Sequence, residues 1–463
     1  MKRITIVKLL LLTLISLSVS YFSSASAQHK NTGWKAGTAR MNITPEQPMW
    51  LAGYGGRDHE SEGTLVDIWA KALALEDANG KKAILITTDL LGMPQEISNR
   101  IRAQLHTRFG LSKAQIILNS SHTHSAPVLG DALPDIYPMN AAQWEKVNKY
   151  SKKLEEQIVA LAAKALKDLE PAKVFTQNGV TRFQVNRRNN KEATLTQQTE
   201  LKGPNEYSVP VIKVVNSKGK LKAIAFGYAC HPTVLSLYKW SGDYPGYAQI
   251  ELEKAHPGVT ALFFQGAGAD QNPLPRRTIA LAKQYGHELF AAVERVMEED
   301  DMKEVSPTLT TAYKEIDLKL APVQPKEELE KMAKNSPGYE KRWAERVLGK
   351  VNRGESFPTS YPYPLQVWQL GEQPIMTLGG ELVIQYAIDL KRIFGQNLFV
   401  MGYSNDVMTY IPSELILKEG GYEGALAHMV YGLPSKWAPG VEKTILDEMT
   451  KLAEEAGLKK VSK

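Results

Sequence analysis

The chain has 463 residues, with 56 lysines and arginines against 50 aspartates and glutamates. Its formal charge of +6 falls to +3 once a leader carrying Lys2, Arg3 and Lys8 is removed, too weak to argue for nucleic acid or an anionic membrane as partner. The single cysteine, Cys230, excludes an internal disulfide and a lipidated N-terminus, so stability rests on the core.

The first segment reads as a secretory signal peptide: Lys2, Arg3 and Lys8, an apolar stretch over 9–19, and Ala25-Ser26-Ala27 before Gln28, with cleavage expected after Ala27. That places the mature protein in the periplasm or outside the cell. The apolar core is too short for a comfortable membrane span, and no later stretch approaches one. Residues 28–463 read as a single catalytic domain, because the candidate site residues lie as far apart as His122 and Tyr410. In chain order the periodicity predicts a buried strand over 83–88, a helix over 95–109, a strand over 115–118 and a helix over 141–169. A hairpin joins 211–215 to 221–226 through Asn216-Ser217-Lys218-Gly219. The stretch 189–205 is polar and long enough to be a mobile loop and candidate lid. A helix over 247–255, a strand over 259–264 and a helix over 277–297 follow, then a charged helical hairpin over 325–350 broken at Pro337-Gly338. Strands over 374–378 and 397–403 flank a helix that opens after Gly379-Gly380-Glu381. The fold class expected is α/β: mixed β-sheets layered with helices, and a metal site at the carboxyl ends of strands.

The chemistry sits at those strand ends. His122-Thr123-His124 follows the apolar run Ile116-Ile117-Leu118 almost at once, and in an extended backbone residues two apart share a face. Imidazole is the commonest zinc ligand, and a catalytic zinc takes three protein ligands while keeping one position open. A hydrogen-bonded polar strand end would look the same. His231, in Cys230-His231-Pro232-Thr233, ends a second strand-like run over 223–229, and Glu381 sits on a strand-to-helix turn. The last strand runs into Ser404-Asn405-Asp406 and then Tyr410. Open α/β sheets bind ligands at such ends. Asp89 and Asp270 are open between supporting an imidazole and capping a turn. His29, His59, His106, His256, His287 and His428 read as surface or capping histidines. Trp50, Tyr54, Trp240 and Tyr244 are open between lining a pocket and packing in the core. No nucleophile-elbow serine, P-loop or HExxH motif occurs.

With His122-Thr123-His124-Ser125-Ala126-Pro127, Asn186-Arg187, Cys230-His231-Pro232-Thr233, Phe264-Gln265-Gly266 through Asp270, Gly380-Glu381, and Ser404-Asn405 through Tyr410, the chain resembles the catalytic region of the neutral/alkaline non-lysosomal ceramidases. These are secreted zinc amidases that split the N-acyl bond of ceramide. The resemblance implies that His122, His231, Glu381 and Tyr410 bind zinc, and that His124 and Arg187 stand beside the attacking water and the scissile carbonyl. It also shows departures. Where the family reads Gly-Asp-x-Ser-Pro this chain reads Ala269-Asp270-Gln271-Asn272-Pro273, so Asn272, a hydrogen-bond donor and no nucleophile, replaces the active-site serine. Val407 replaces a family tyrosine. The family's C-terminal β-sandwich is not expected, because little more than fifty residues follow Tyr410 and they end in a helix-like, charged tail. The implied activity is zinc-dependent hydrolysis of a small or lipid-like N-acyl substrate by metal-activated water. Alternatives are a zinc esterase or an amidase for N-acyl amino sugars or peptidoglycan fragments, and a secreted binding protein that kept the metal pocket but lost the chemistry.

Overall fold

Runs such as Ala83-Ile84-Leu85-Ile86 and Ile116-Ile117-Leu118 are buried on both faces of their strands, as strands covered by further layers are. The computed structural model describes residues 33–299 and 301–461, so the leader over 1–27 and its cleavage site lie outside the described residues. A nine-stranded sheet runs in the order Ile116–Ser120, Lys82–Thr88, Trp69–Glu76, Trp34–Asn42, Glu170–Val180, Ser208–Asn216, Leu221–Tyr228, Thr260–Gln265, with the short Lys303–Glu304 paired to Glu170–Val180. Its two end pairs are parallel and the pairs between them antiparallel. The sheet curls until its end strands meet. Asn119 accepts the backbone N–H of Gln265 from the opposite edge at 2.8 Å, and buried Lys71 reaches across to the carbonyl of Ala261 at 2.8 Å.

A second, four-stranded sheet orders Leu309–Lys319, Ser360–Leu370, Gln373–Leu378 and Phe399–Met401, the last pair parallel. Asn119 joins it to the first sheet, donating to the carbonyl of Gly402 at 2.9 Å and to Ser404 at 3.1 Å. Two small bridges finish the frame: Glu381 pairs with Tyr410 in parallel, and Gln271 and Asn272 pair with Asn186 and Val185 in antiparallel. Outside the sheets, the helix Ala141–Lys167 buries Val147, Tyr150, Leu154, Ile158, Leu161 and Ala165 at steps of three or four, and Asn140 and Gln143 close its start as a capping box.

The fold is the expected mixed α/β arrangement, with differences of detail. Lys113–Gln115 is a tight helical turn, so the strand before the histidines starts at Ile116 and runs to Ser120. The helix expected over 247–255 begins earlier, at Asp243, and the last strand shrinks to Phe399–Met401. The helical hairpin is present as Lys326–Asn335 and Gly338–Asn352. The chain after Tyr410 ends in a helix, as expected, and it is packed as well. Three helices, Glu414–Glu419, Ala427–Val430 and Val441–Glu455, bury Trp437, Ile445, Met449 and Ala453 against the second sheet's core, and no β-sandwich occurs among the described residues. Among those residues no helix is long and apolar enough to cross a membrane.

Candidate metal centre

The strand Ile116–Ser120 ends before the histidines, and His122 takes a left-handed φ of 66°. Strand alternation therefore does not aim the two imidazoles, as the sequence suggested; the turn at His122 does, and it brings Nε2 of His122 and Nε2 of His124 to 3.2 Å. His231 arrives from beyond the strand Leu221–Tyr228, its ring edge-on to His122 at 4.9 Å between centroids. Glu381 Oε2 lies 3.1 Å from Nε2 of His122 and 3.1 Å from Nε2 of His231. The Tyr410 phenol oxygen is 3.2 Å from His231 Nε2. Gly380 makes the last two approaches possible: its φ is 70°, and a Cβ there would stand 2.6 Å from Ile411 and 2.7 Å from the Thr409 carbonyl.

Protons decide what this cluster can hold. His122 Nδ1 donates to the carbonyl of Leu91 at 2.6 Å and His231 Nδ1 to that of Gly268 at 2.8 Å, so in this tautomer both Nε2 atoms present bare lone pairs. Those lone pairs face Glu381 Oε2, a buried oxygen that no donor reaches. An acceptor buried without a donor costs about 1–3 kcal/mol, and a divalent cation among the three would remove that cost. Two imidazole nitrogens, a carboxylate and a phenol form a donor set that suits zinc-like metals. The ligand atoms of His122, His124 and His231 also lie within 4.8 Å of one another. His124 stands apart in two respects: it keeps some exposure, and its Nδ1 has no partner. Burial, then the charge of Arg187, pushes His231 down to about 4. Burial, then the other two imidazoles, holds His124 well below its usual value. Burial raises the Tyr410 phenol well above 10 while Arg187 opposes it, so the phenol needs a cation to give up its proton.

Arg187 donates to Glu423 at 2.8 Å and to the Tyr410 phenol oxygen at 3.1 Å. Asp270 anchors this corner by accepting from Asn186 at 3.0 Å and from the N–H of Ile384 at 2.9 Å. Asn272 is 5% exposed, and its Oδ1 has no partner. The site thus brings together His122, His124, His231, Glu381, Tyr410 and Arg187, with Asn272 on the bridge beside them. Sequence reasoning missed Glu423, which braces Arg187, and Tyr431, which donates to Glu381 Oε1. It also missed Tyr403, whose ring lies 4.5 Å from His122, and Gly53, where a Cβ would meet the His124 ring at 2.5 Å. The glycines of Ala52-Gly53-Tyr54-Gly55-Gly56 are the one signal that marked such a close approach.

Other expectations resolve toward structure. Asp89 touches no imidazole; it accepts from the N–H of Trp69 at 2.9 Å and from Gln249 at 3.2 Å, and backbone carbonyls orient the histidines instead. His428 is not at the surface: it is buried edge-on to Trp343, and burial pushes it down to about 4. His59, His256 and His287 pair with nearby carboxylates. Trp50, Trp240 and Tyr244 pack in the core, and only Tyr54 reaches the site, edge-on to His124 at 4.7 Å. The loop over 189–205 carries a short helix, Glu192–Gln197, and is pinned at its base by Asn190, which donates to the carbonyls of Asn186 and Lys202. It walls a cleft of about 660 Å³ that opens over Arg187 and Asn272.

Residues 34–328 match the family model for "Neutral/alkaline non-lysosomal ceramidase, N-terminal". That range includes His122, His124, Arg187, His231 and Asn272 and ends before Glu381 and Tyr410. Neutral ceramidase A of Dictyostelium discoideum is 27% identical over 282 residues, which cover 57% of this chain and 38% of that protein. The neutral ceramidase of Pseudomonas aeruginosa is 22% identical over 281 residues, 57% of this chain and 40% of the relative. These matches span less than half of the relatives' own length. The crystal structure of the neutral ceramidase from Pseudomonas aeruginosa superposes with a TM-score of 0.71 over 93% of this chain and 76% of that one, at 18% identity. A ceramidase complexed with C2 gives 0.69 at 16% identity over the same shares.

Proposed function

The chain belongs to the neutral/alkaline non-lysosomal ceramidase family, and from that premise we propose that it is a secreted, zinc-dependent amidase that hydrolyses the N-acyl bond of ceramide or a related lipid-like amide. The observation that carries the reading is the meeting of two imidazole Nε2 atoms, whose rings donate from Nδ1 to backbone carbonyls, with the Tyr410 phenol and with Glu381, whose Oε2 no donor reaches. A zinc ion held there would lower the pKa of water toward 7 and polarise the acyl carbonyl. His122, His231, Glu381 and Tyr410 would hold the ion. His124, held in the neutral form by burial, accepts the proton of the attacking water and delivers it to the leaving nitrogen as the C–O bond forms and the C–N bond breaks. Arg187, fixed by Glu423 and leaning on Tyr410, stabilises the charge that develops on the carbonyl oxygen. Asn272 supplies an amide where the family has a serine, which leaves water as the nucleophile.

The test combines metal analysis of the purified protein with turnover against a panel of N-acyl substrates, ceramide among them. Zinc near one per chain with release of amine supports the reading. Arg187→Ala should keep the zinc and lose about 100- to 1,000-fold in kcat. Asn272 favours one second reading, a binding protein with the family's pocket, and zinc without hydrolysis of any amide or ester would support it.

A further inference from the structure

The cleft that opens over Arg187 and Asn272 is lined mostly by charged and amide side chains. Arg187, Arg188, Lys191 and Arg276 face it, against the carboxylates of Glu192 and Glu423. Glu423 is already taken up between Arg187 at 2.8 Å and Arg188 at 2.7 Å. Glu192 lies at the outer edge, 37% exposed, and pairs with Arg276 at 3.1 Å. Lys191 is exposed and finds no carboxylate among the described residues. Leu274 and Ala193 are the only aliphatic side chains in the lining. At the inner end Asn272 is almost wholly buried, and its Oδ1 awaits a donor.

Arg188 also pairs with Glu419 at 2.8 Å, which leaves one positive charge over; an alkyl chain laid here would strip water from the cations and return nothing, whereas a small polar group with one negative charge would neutralise that surplus. Arg187 lines the cleft and also donates to the Tyr410 phenol, so this one side chain joins the cleft to the metal centre. In an N-acyl lipid whose acyl half is a long hydrocarbon chain, the half that can be short and polar is the amine. A leaving nitrogen bears a donor that suits Asn272 Oδ1, and a carboxylate one or two bonds further out suits Lys191 and Arg276.

Taking the amidase reading as given, we propose that this cleft receives the amine part of the substrate and that this part carries a carboxylate, so that the preferred class is N-acyl amino acids and not neutral N-acyl alcohols.

The test uses the zinc-loaded protein and two matched pairs with one acyl chain. The first pair is the amides N-dodecanoylglycine and N-dodecanoylethanolamine, compared by kcat/KM. The second is their ketone analogues, with CH2 in place of NH, which cannot be hydrolysed and are compared by calorimetric binding. At low salt the acid should be preferred at least tenfold in both pairs. The preference should shrink as salt is raised and approach unity in Lys191→Gln/Arg276→Gln. Equal or better use of the alcohol, binding of neither ketone, or a preference that survives the double substitution would each overturn the proposal. Acid-selective ketone binding without turnover of either amide would support the anion site and overturn the amidase reading instead, so the two failures separate.

Discussion

His122 and His124 stand two positions apart, yet the structure gives them opposite surroundings. His122 is 1% exposed and its Nδ1 is committed to a carbonyl, which leaves one lone pair aimed at Glu381. His124 has no partner at Nδ1 and is only half-buried as a residue, which suits the proton-transfer role proposed for it. His122→Ala should therefore abolish stoichiometric zinc, whereas His124→Ala should retain it and lose about 100-fold or more in kcat; zinc lost from the His124 variant would make that residue a ligand. Gly53→Ala offers a second approach to the same group. Its Cβ would stand 2.5 Å from the His124 ring at a φ of 108°, so the ring must move. Turnover should fall while zinc content holds. Tyr431 acts through Glu381, whose Oε1 it donates to. Removing such a supporting bond weakens metal sites about 10- to 100-fold, and Tyr431→Phe should shift the zinc competition curve by that much without preventing folding.

At the level of elements, Asp406 ties the start of the helix Gln95–Phe109 to the strand Ser360–Leu370. Its Oδ2 accepts from Gln95 at 3.1 Å and Tyr361 at 2.8 Å, while Oδ1 has no partner. Burial pushes its carboxyl from 3.8 up to about 8. Between those values the folded chain binds a proton that the unfolded chain has released, so stability is full below 3.8 and falls as pH rises toward 8. The slope is at most about 1.4 kcal/mol per pH unit from this one group. Urea unfolding at pH 5 and pH 8 should show the loss, and Asp406→Asn should flatten it; an unchanged slope would exclude Asp406 as its source. The same scale explains what the sequence could reveal. His122, His231 and Glu381 were legible because each follows a continuous apolar strand. The strands Trp69–Glu76 and Leu309–Lys319 were not, since charged residues interrupt them. Lys71 is buried in the first, and the groups that satisfy it, Glu253 and the Ala261 carbonyl, lie far away in the chain. Glu423 and Tyr431 were hidden for a related reason: they sit on short, irregular turns whose period marks neither helix nor strand.

Across the whole molecule, the proposed ligands come from both sheets. His122 and His231 hang from the ends of the nine-stranded sheet, while Glu381 and Tyr410 form a bridge beside the four-stranded one. Without a cation, polar contacts already join the two near the site: Asn119 to Gly402 and Ser404, and Asn405 to the backbone of Leu118. A bound ion would add a further link, and would relieve lone pairs buried against one another. Any ligand that binds only the folded state stabilises it by about 2.7 kcal/mol when free at a hundred times its dissociation constant. For a chain of this size that amounts to a rise of several degrees in the melting midpoint. Chelation should lower the midpoint and zinc should restore it, with His122→Ala indifferent to both and His124→Ala responding as the parent does. Hydrogen exchange should locate the change. Removing the ion should speed exchange at 121–124, 230–232 and 379–382, where both sheets present their ligands, and leave the centre of Lys82–Thr88 protected. Uniform acceleration along the chain would mean that the metal holds up the whole fold, and no acceleration at the ligand segments would mean that no ion sits between the sheets.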